Sequence, residues 1–147
     1  MTMRRAARVI FPLLLTAFSS SFSLAADGQV EVVVTNLRNA NGHVRVGLCP
    51  QETFLETDCP YEAEAAAVKG ETIVTVRGVP PGTYAAQVFH DENDNHEVDR
   101  SWLGIPEEGV GFSNDPSFTF GPPSFSDASF RLGADGGRIT VRLRYFD

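Results

Sequence analysis

Five short segments of this chain alternate apolar with polar residues, and glycine, proline or asparagine bounds most of them. QVEVVVTNL (29–37), HVRVGLC (43–49), ETIVTVRGV (71–79), TYAAQVFH (83–90) and RITVRLRYF (138–146) repeat with a period near two, which puts alternate side chains on one face of a pleated strand. Valine and isoleucine suit that pleat because their branched side chains pack well on it. RNANG, with Asn41-Gly42 at its end, predicts that the first two segments form a β-hairpin. Pro80-Pro81-Gly82 predicts a tight reversal, since proline presets φ and glycine accepts a positive φ. In the third segment Ile73, or its neighbours Val74 and Val76, is expected to face a core; in the last, Ile139, Val141, Leu143 and Tyr145 share one face. DASFRL (127–132) adds a strand, GADGG a turn, and YEAEAAAVKG (61–70) fits a short helix, a single turn or an edge strand equally. Six or seven short strands with almost no helix predict an all-β, antiparallel β-sandwich. An outer-membrane barrel is disfavoured, because the middle of the chain lacks alternating strands of ~10 residues.

The first 25 residues carry Arg4, Arg5 and Arg8, an apolar run from position 9 to 18, and small residues ending at Ala25. That order is a secretory signal peptide, and its apolar run falls short of the ~20 residues that span a bilayer. Residues 26–147 are then expected to form one periplasmic or secreted domain with no membrane span. Cleavage would leave nine basic against nineteen acidic residues, a formal charge of −10. Such a surface repels nucleic acid phosphates and anionic lipid, and leaves cations and neutral ligands as the expected partners. In an exported chain, Cys49 and Cys59 at short spacing predict a disulfide. The competing readings, a metal pair or a reactive thiol, expect a CxxC spacing that CPQETFLETDC does not have.

From position 90 to about 126 neither period is sustained, and a connection that long usually carries function or an ion. It opens HDENDNHEVD, in which Asp91, Asn93, Asn95, Glu97 and Asp99 fall at alternate positions. A Ca²⁺ loop uses oxygen-bearing side chains at its positions 1, 3, 5 and 9 and a backbone carbonyl at 7; Asp91, Asn93, Asn95 and Asp99 fill the four side-chain places. His96 stands where a complete EF-hand loop has glycine, and Trp102 where it has a bidentate glutamate, so Glu107, Glu108 or Asp115 would have to complete the shell. Two other readings remain: an Asx-rich turn with no ion, and a different metal held by His90 or His96.

The aromatics Trp102, Phe112, Phe118, Phe120 and Phe125 crowd the same connection. They are read either as a platform for a carbohydrate or protein partner or as inward-folded caps on one end of the sandwich. Catalysis has little support. Ser113 lies in GFSND rather than a GxSxG elbow, HExxH is absent, and carboxylates are too plentiful for any pair to be specific.

VPPGTYAAQVFHDENDN, LGIPEEGVGFSND and FGPPSFSDASF, in that order over residues 79–130, resemble the domain of unknown function 2141 family of exported bacterial proteins. Its acidic stretch commonly reads HDENGNGKLD, so Asp94 and His96 replace glycines here. The resemblance covers nearly the whole chain after the leader. It implies a Greek-key sandwich of the transthyretin or carboxypeptidase-regulatory-domain type, and implies no activity. The expectation is an exported, non-catalytic accessory or binding domain with a calcium loop at 91–99; the rivals are a hydrolase using the acidic loop and a carbohydrate-binding module using the aromatics.

Overall fold

The alternating segments become strands in a computed structural model that describes residues 28–118 and 120–146; the expected signal peptide lies outside the described residues. β1 (Gly28–Leu37), β2 (His43–Cys49), β3 (Tyr61–Ala66), β4 (Gly70–Val79), β5 (Gly82–Asp91), β6 (Val110–Phe112), β7 (Ser129–Leu132) and β8 (Gly137–Arg142) form two sheets, with a 3-10 turn (Gln51–Thr53) after β2 and one α-helical turn, α1 (Phe125–Ala128), before β7. The smaller sheet runs β4-β1-β8. The larger runs β3-β2-β5-β6, with β7 also pairing β5. The fold is thus all-β and sandwich-like. Its core lies between the sheets, where Val30, Val32 and Val34 of β1 oppose Val44, Val46 and Leu48 of β2 and Ala86 and Val88 of β5. Leu48 and Leu143 are fully buried, and each contributes about 1.5–3 kcal/mol by leaving water.

Several expectations need correction. β1 and β2 do not form a hairpin. β1 is the centre of its sheet, flanked by β4 and β8, while β2 pairs β3 and β5 in the other. Both strands turn valines inward, so the chain between them must cross the ~10 Å between packed sheets rather than fold back in one plane. Gly42 is essential to that crossing: its φ is +62°, and a Cβ there would lie 1.9 Å from the Asp91 carbonyl oxygen. Nor is the pairing purely antiparallel, because β8 runs parallel to β1, from Val30 opposite Gly137 to Thr35 opposite Arg142. Residues 61–66 are a strand, with Tyr61, Ala63 and Ala65 half-buried and the residues between exposed. Val74 and Val76 enter the core, whereas Ile73 is exposed. The long connection also contains β6, whose three residues are too few to show a period.

β6 closes one corner of the sandwich. Val110 and Arg144 exchange backbone hydrogen bonds of 3.0 and 2.8 Å. A Cβ on Gly111 would meet the Arg142 carbonyl oxygen at 2.5 Å, so only glycine admits this approach.

Candidate functional site

Pairing of the larger sheet brings two rows of side chains to its outer face, away from the core. Glu62 of β3 pairs Gly47, Gly47 pairs Gln87, and Gln87 pairs Phe112; one step along, Glu64, Arg45, Phe89 and Val110 form the second row. Four strands span about 14 Å at the usual spacing. Across that width the face changes from acidic on β3 to apolar on β6. A cleft of about 1400 Å³ lies over it, walled by Leu55, Glu56 and Thr57 from the disulfide loop, by residues 96–98 and 103–106, and by Phe118, Phe120 and Phe146.

The Cys49–Cys59 disulfide forms as expected and lies against Gly47, where a Cβ would meet Cys59 Sγ at 3.0 Å. Gln87 fastens the same loop to the sheet. Its Oε1 accepts from the Leu55 amide at 2.9 Å, and its Nε2 donates to the Glu56 carbonyl at 2.8 Å. Neither link was legible in the sequence, since Gln87 is an unremarkable polar residue on the outward side of a strand.

At the other end, residues 91–99 wrap around a buried charge. Asp91 is fully buried. Its Oδ2 accepts from Arg45 Nε at 2.6 Å and from the His96 amide at 3.0 Å, and its Oδ1 from the Asn95 amide at 3.1 Å. Burial alone would raise the Asp91 carboxyl, but the Arg45 guanidinium and the two amides together hold it below the usual carboxylate range. Asp99 accepts from Asn93 Nδ2 at 2.6 Å and from Asn95 Nδ2 at 2.8 Å; the Asn95 side chain in turn accepts from the Glu97 amide. The structure therefore gathers Asp91, Asn93, Asn95 and Asp99 around one turn, while Glu97 is exposed at the rim of the cleft. Among the described residues, no group of three or more His, Cys, Asp or Glu is assembled as a metal cage.

Asp94 and His96, where the family resemblance leads one to expect glycine, adopt left-handed backbone, with φ +58° and +67°. Side chains cost roughly 1–2 kcal/mol in that region. Both make contacts that offset it: Asp94 Oδ1 lies 2.6 Å from His43 Nδ1, and His96 Nε2 lies 3.2 Å from Arg45 Nη2.

Glu108 is the residue sequence reasoning undervalued. It is buried, and its carboxylate staples the loop at both ends, accepting from the Glu92 amide at 2.9 Å and the Asp99 amide at 3.2 Å. Burial first, then the nearby Asp99 and Asp91 charges, push its pKa up against those two amides. Of the other carboxylates considered for the shell, Asp115 pairs with Arg144 and Glu107 is exposed. His90 is buried and points inward, with Nε2 2.7 Å from the Asn41 carbonyl oxygen and Nδ1 3.1 Å from the Tyr145 hydroxyl. It anchors the crossing between the sheets.

Beyond the loop, residues 99–107 fold back as a finger. The Glu107 amide donates to the Asp99 carbonyl, and the Ser101 amide to the Ile105 carbonyl. Its tip leaves Trp102 91% and Leu103 63% exposed. Phe120 is fully exposed too. Phe112, Phe118 and Phe125 are half-buried and stack edge to face with Phe54 and Phe146 along the β6 side of the cleft. None of the five aromatics joins the core between the sheets. Phe112, Phe118 and Phe125 pack instead in a ring cluster with Phe54 and Phe146.

Ser113 is buried as well. Its hydroxyl donates to the Ala128 carbonyl and accepts from the Ala86 amide, which ties α1 to β5.

The profile of a bacterial family described as "Uncharacterized protein conserved in bacteria (DUF2141)" matches residues 32–140, which include every strand of the larger sheet and the whole acidic loop. No curated protein and no solved structure matches the chain.

Proposed function

The chain belongs to the DUF2141 family of uncharacterized bacterial proteins, so its role must be read from its own site, and we propose that it is an exported, non-catalytic binding module whose ligand occupies the cleft on the larger sheet. In this reading the two sheets are a Greek-key sandwich of the transthyretin or carboxypeptidase-regulatory type, working in the periplasm or outside the cell. One observation carries the proposal: Leu103, Ile105 and Phe120 stand exposed around a cleft whose floor is apolar toward β6, and exposed apolar surface rimmed by polar residues marks an interaction site. The non-catalytic part is supported by the commitments of Ser113 and His90. The Ser113 hydroxyl and the His90 imidazole are both buried and hydrogen-bonded to backbone or tyrosine, which leaves neither of these two groups free to act as nucleophile or base. The disulfide supports export.

The test uses an environment-sensitive anilinonaphthalene dye with the folded protein and with Leu103→Ser/Phe120→Ser. The wild type should bind the dye, and the variant should bind about tenfold more weakly while keeping its far-ultraviolet spectrum. A folded wild type that takes up no dye would end the reading. Trp102 reports independently: as the only tryptophan, it should be quenched by iodide nearly as freely as indole in water.

A second reading adds Ca²⁺ as an ordering ion for residues 91–99. It is favoured by the convergence of Asp91, Asn93, Asn95 and Asp99 on one turn. Calorimetry should then detect Ca²⁺ binding, and chelator should lower the melting temperature. A flat titration together with an unchanged melt removes calcium from the account.

A further inference from the structure

The geometry points to a basic, apolar polypeptide segment of another protein as the occupant of the cleft, an inference that rests on the cleft being the binding site. The first support is charge. Glu56, Glu62, Glu64 and Glu97 line the cleft against Arg45 and Arg100, a formal −2 with histidine neutral. Arg45 is consumed by Asp91 and Glu64. The carboxylates of Glu56, Glu62 and Glu97 have no ion-pair partner among the described residues, and set against the Arg100 guanidinium, bonded only to the Gly104 carbonyl, they leave a net −2 to a ligand.

The second support is their arrangement. Glu62 and Glu64 stand on β3, while Phe112, Phe118, Phe120 and Phe146 stand on the β6 side, so the face asks for a molecule cationic along one side and apolar along the other. Lysine and arginine suit such a face, because their stems cover apolar surface while their heads reach charge. Size is the third support. About 1400 Å³ exceeds the ~300–1,000 Å³ usual for a small-molecule pocket, and the cleft is open, as a groove for a chain segment is. The inner strands of its floor, β2 and β5, have ladder partners on both sides, so over them recognition falls to side chains.

The experiment measures fluorescence anisotropy with three labelled ten-residue peptides, one alternating lysine with phenylalanine and leucine, one with glutamine for every lysine, and one with glutamate for every lysine. The lysine peptide should bind at least about tenfold tighter than the glutamine peptide, and the glutamate peptide weakest. Added salt should erode the difference, since it screens exposed charge. Glu62→Gln/Glu97→Gln should lose most of the preference for lysine. Glu71→Gln/Asp135→Asn, which removes two charges outside the cleft, should keep it.

Equal binding of the lysine and glutamine peptides would overturn the inference and leave the cleft intact as an apolar site. Equal loss of preference in the two double variants would overturn it as well, by tracing the attraction to net charge alone. If no peptide binds while the dye does, the occupant is not a polypeptide. If the dye fails too, the cleft reading falls with it.

Discussion

Replacing Arg45 with leucine should cost the folded protein about 3 kcal/mol at neutral pH, the scale on which a buried charge pair is broken from one side. Asp91 is fully buried and keeps only the Asn95 and His96 amides once the guanidinium is gone. The pH dependence distinguishes this cause from lost packing. Asp91 has a folded pKa below its unfolded value near 3.8. Its contribution is therefore present above about pH 4 and lost as pH falls through the folded value. Glu92, held low by Arg38 and Asn39 against its own burial, acts in the same direction. Glu108 acts oppositely: with its pKa raised, its contribution is fully present below its unfolded value near 4.5 and is lost as pH rises through the folded one. Urea unfolding at pH 7 and pH 3 should thus show a large gap between wild type and Arg45→Leu at pH 7 that narrows in acid. A gap of equal size at both would mean that Arg45 matters only for what its stem covers. Arg45→Lys should recover part of the loss, because an ammonium can answer Asp91 or Glu64 but not both in a fork.

Opening the disulfide, by reduction or by Cys49→Ala/Cys59→Ala, should cost a similar amount. The two residues are ten positions apart, and closing a ring of that size removes about 3 kcal/mol of unfolded-chain entropy. The effect should reach the cleft as well, because the ring carries Leu55, Glu56 and Thr57 in its wall. Gln87 limits the damage with its two hydrogen bonds to residues 55 and 56. Hydrogen exchange of residues 51–58 should therefore rise moderately in the double cysteine variant and steeply when Gln87→Ala is added, with dye binding falling in the same order. If exchange in the ring is unchanged by the cysteine variant, Gln87 and the sheet hold that wall without the disulfide. Gly47→Ala tests the close approach separately: its Cβ would press on Cys59, so it should destabilise the oxidised protein more than the reduced one.

The acidic stretch shows why some of the site was legible and some was not. Alternating Asp and Asn in residues 91–99 announced a tight oxygen-rich turn, and the turn is there, because Asx side chains bond to amides two to five residues ahead whatever the fold around them. Arg45, which answers Asp91, lies forty-six positions away, and nothing local marks it. Glu108 was visible only as one more carboxylate; its place depends on the loop after β5 folding so that the Glu92 and Asp99 amides both meet its carboxylate. The aromatics were recognisable as a group, but whether they would turn into the core or onto the outer sheet face depended on where β6 paired.

The sequence by itself determined what local physics controls: the long alternating strands β1, β2, β4, β5 and β8, the tight oxygen-rich turn after β5, and the cysteine pair close enough to join. Only the tertiary structure decided which strands are neighbours. A period of two in valines is satisfied by any partner, so β1 could have paired β2, as Asn41-Gly42 suggested. Burying both valine faces against each other required the two strands to lie in opposite sheets. That choice set β2 between β3 and β5, and with it the two outward rows from which the cleft is built.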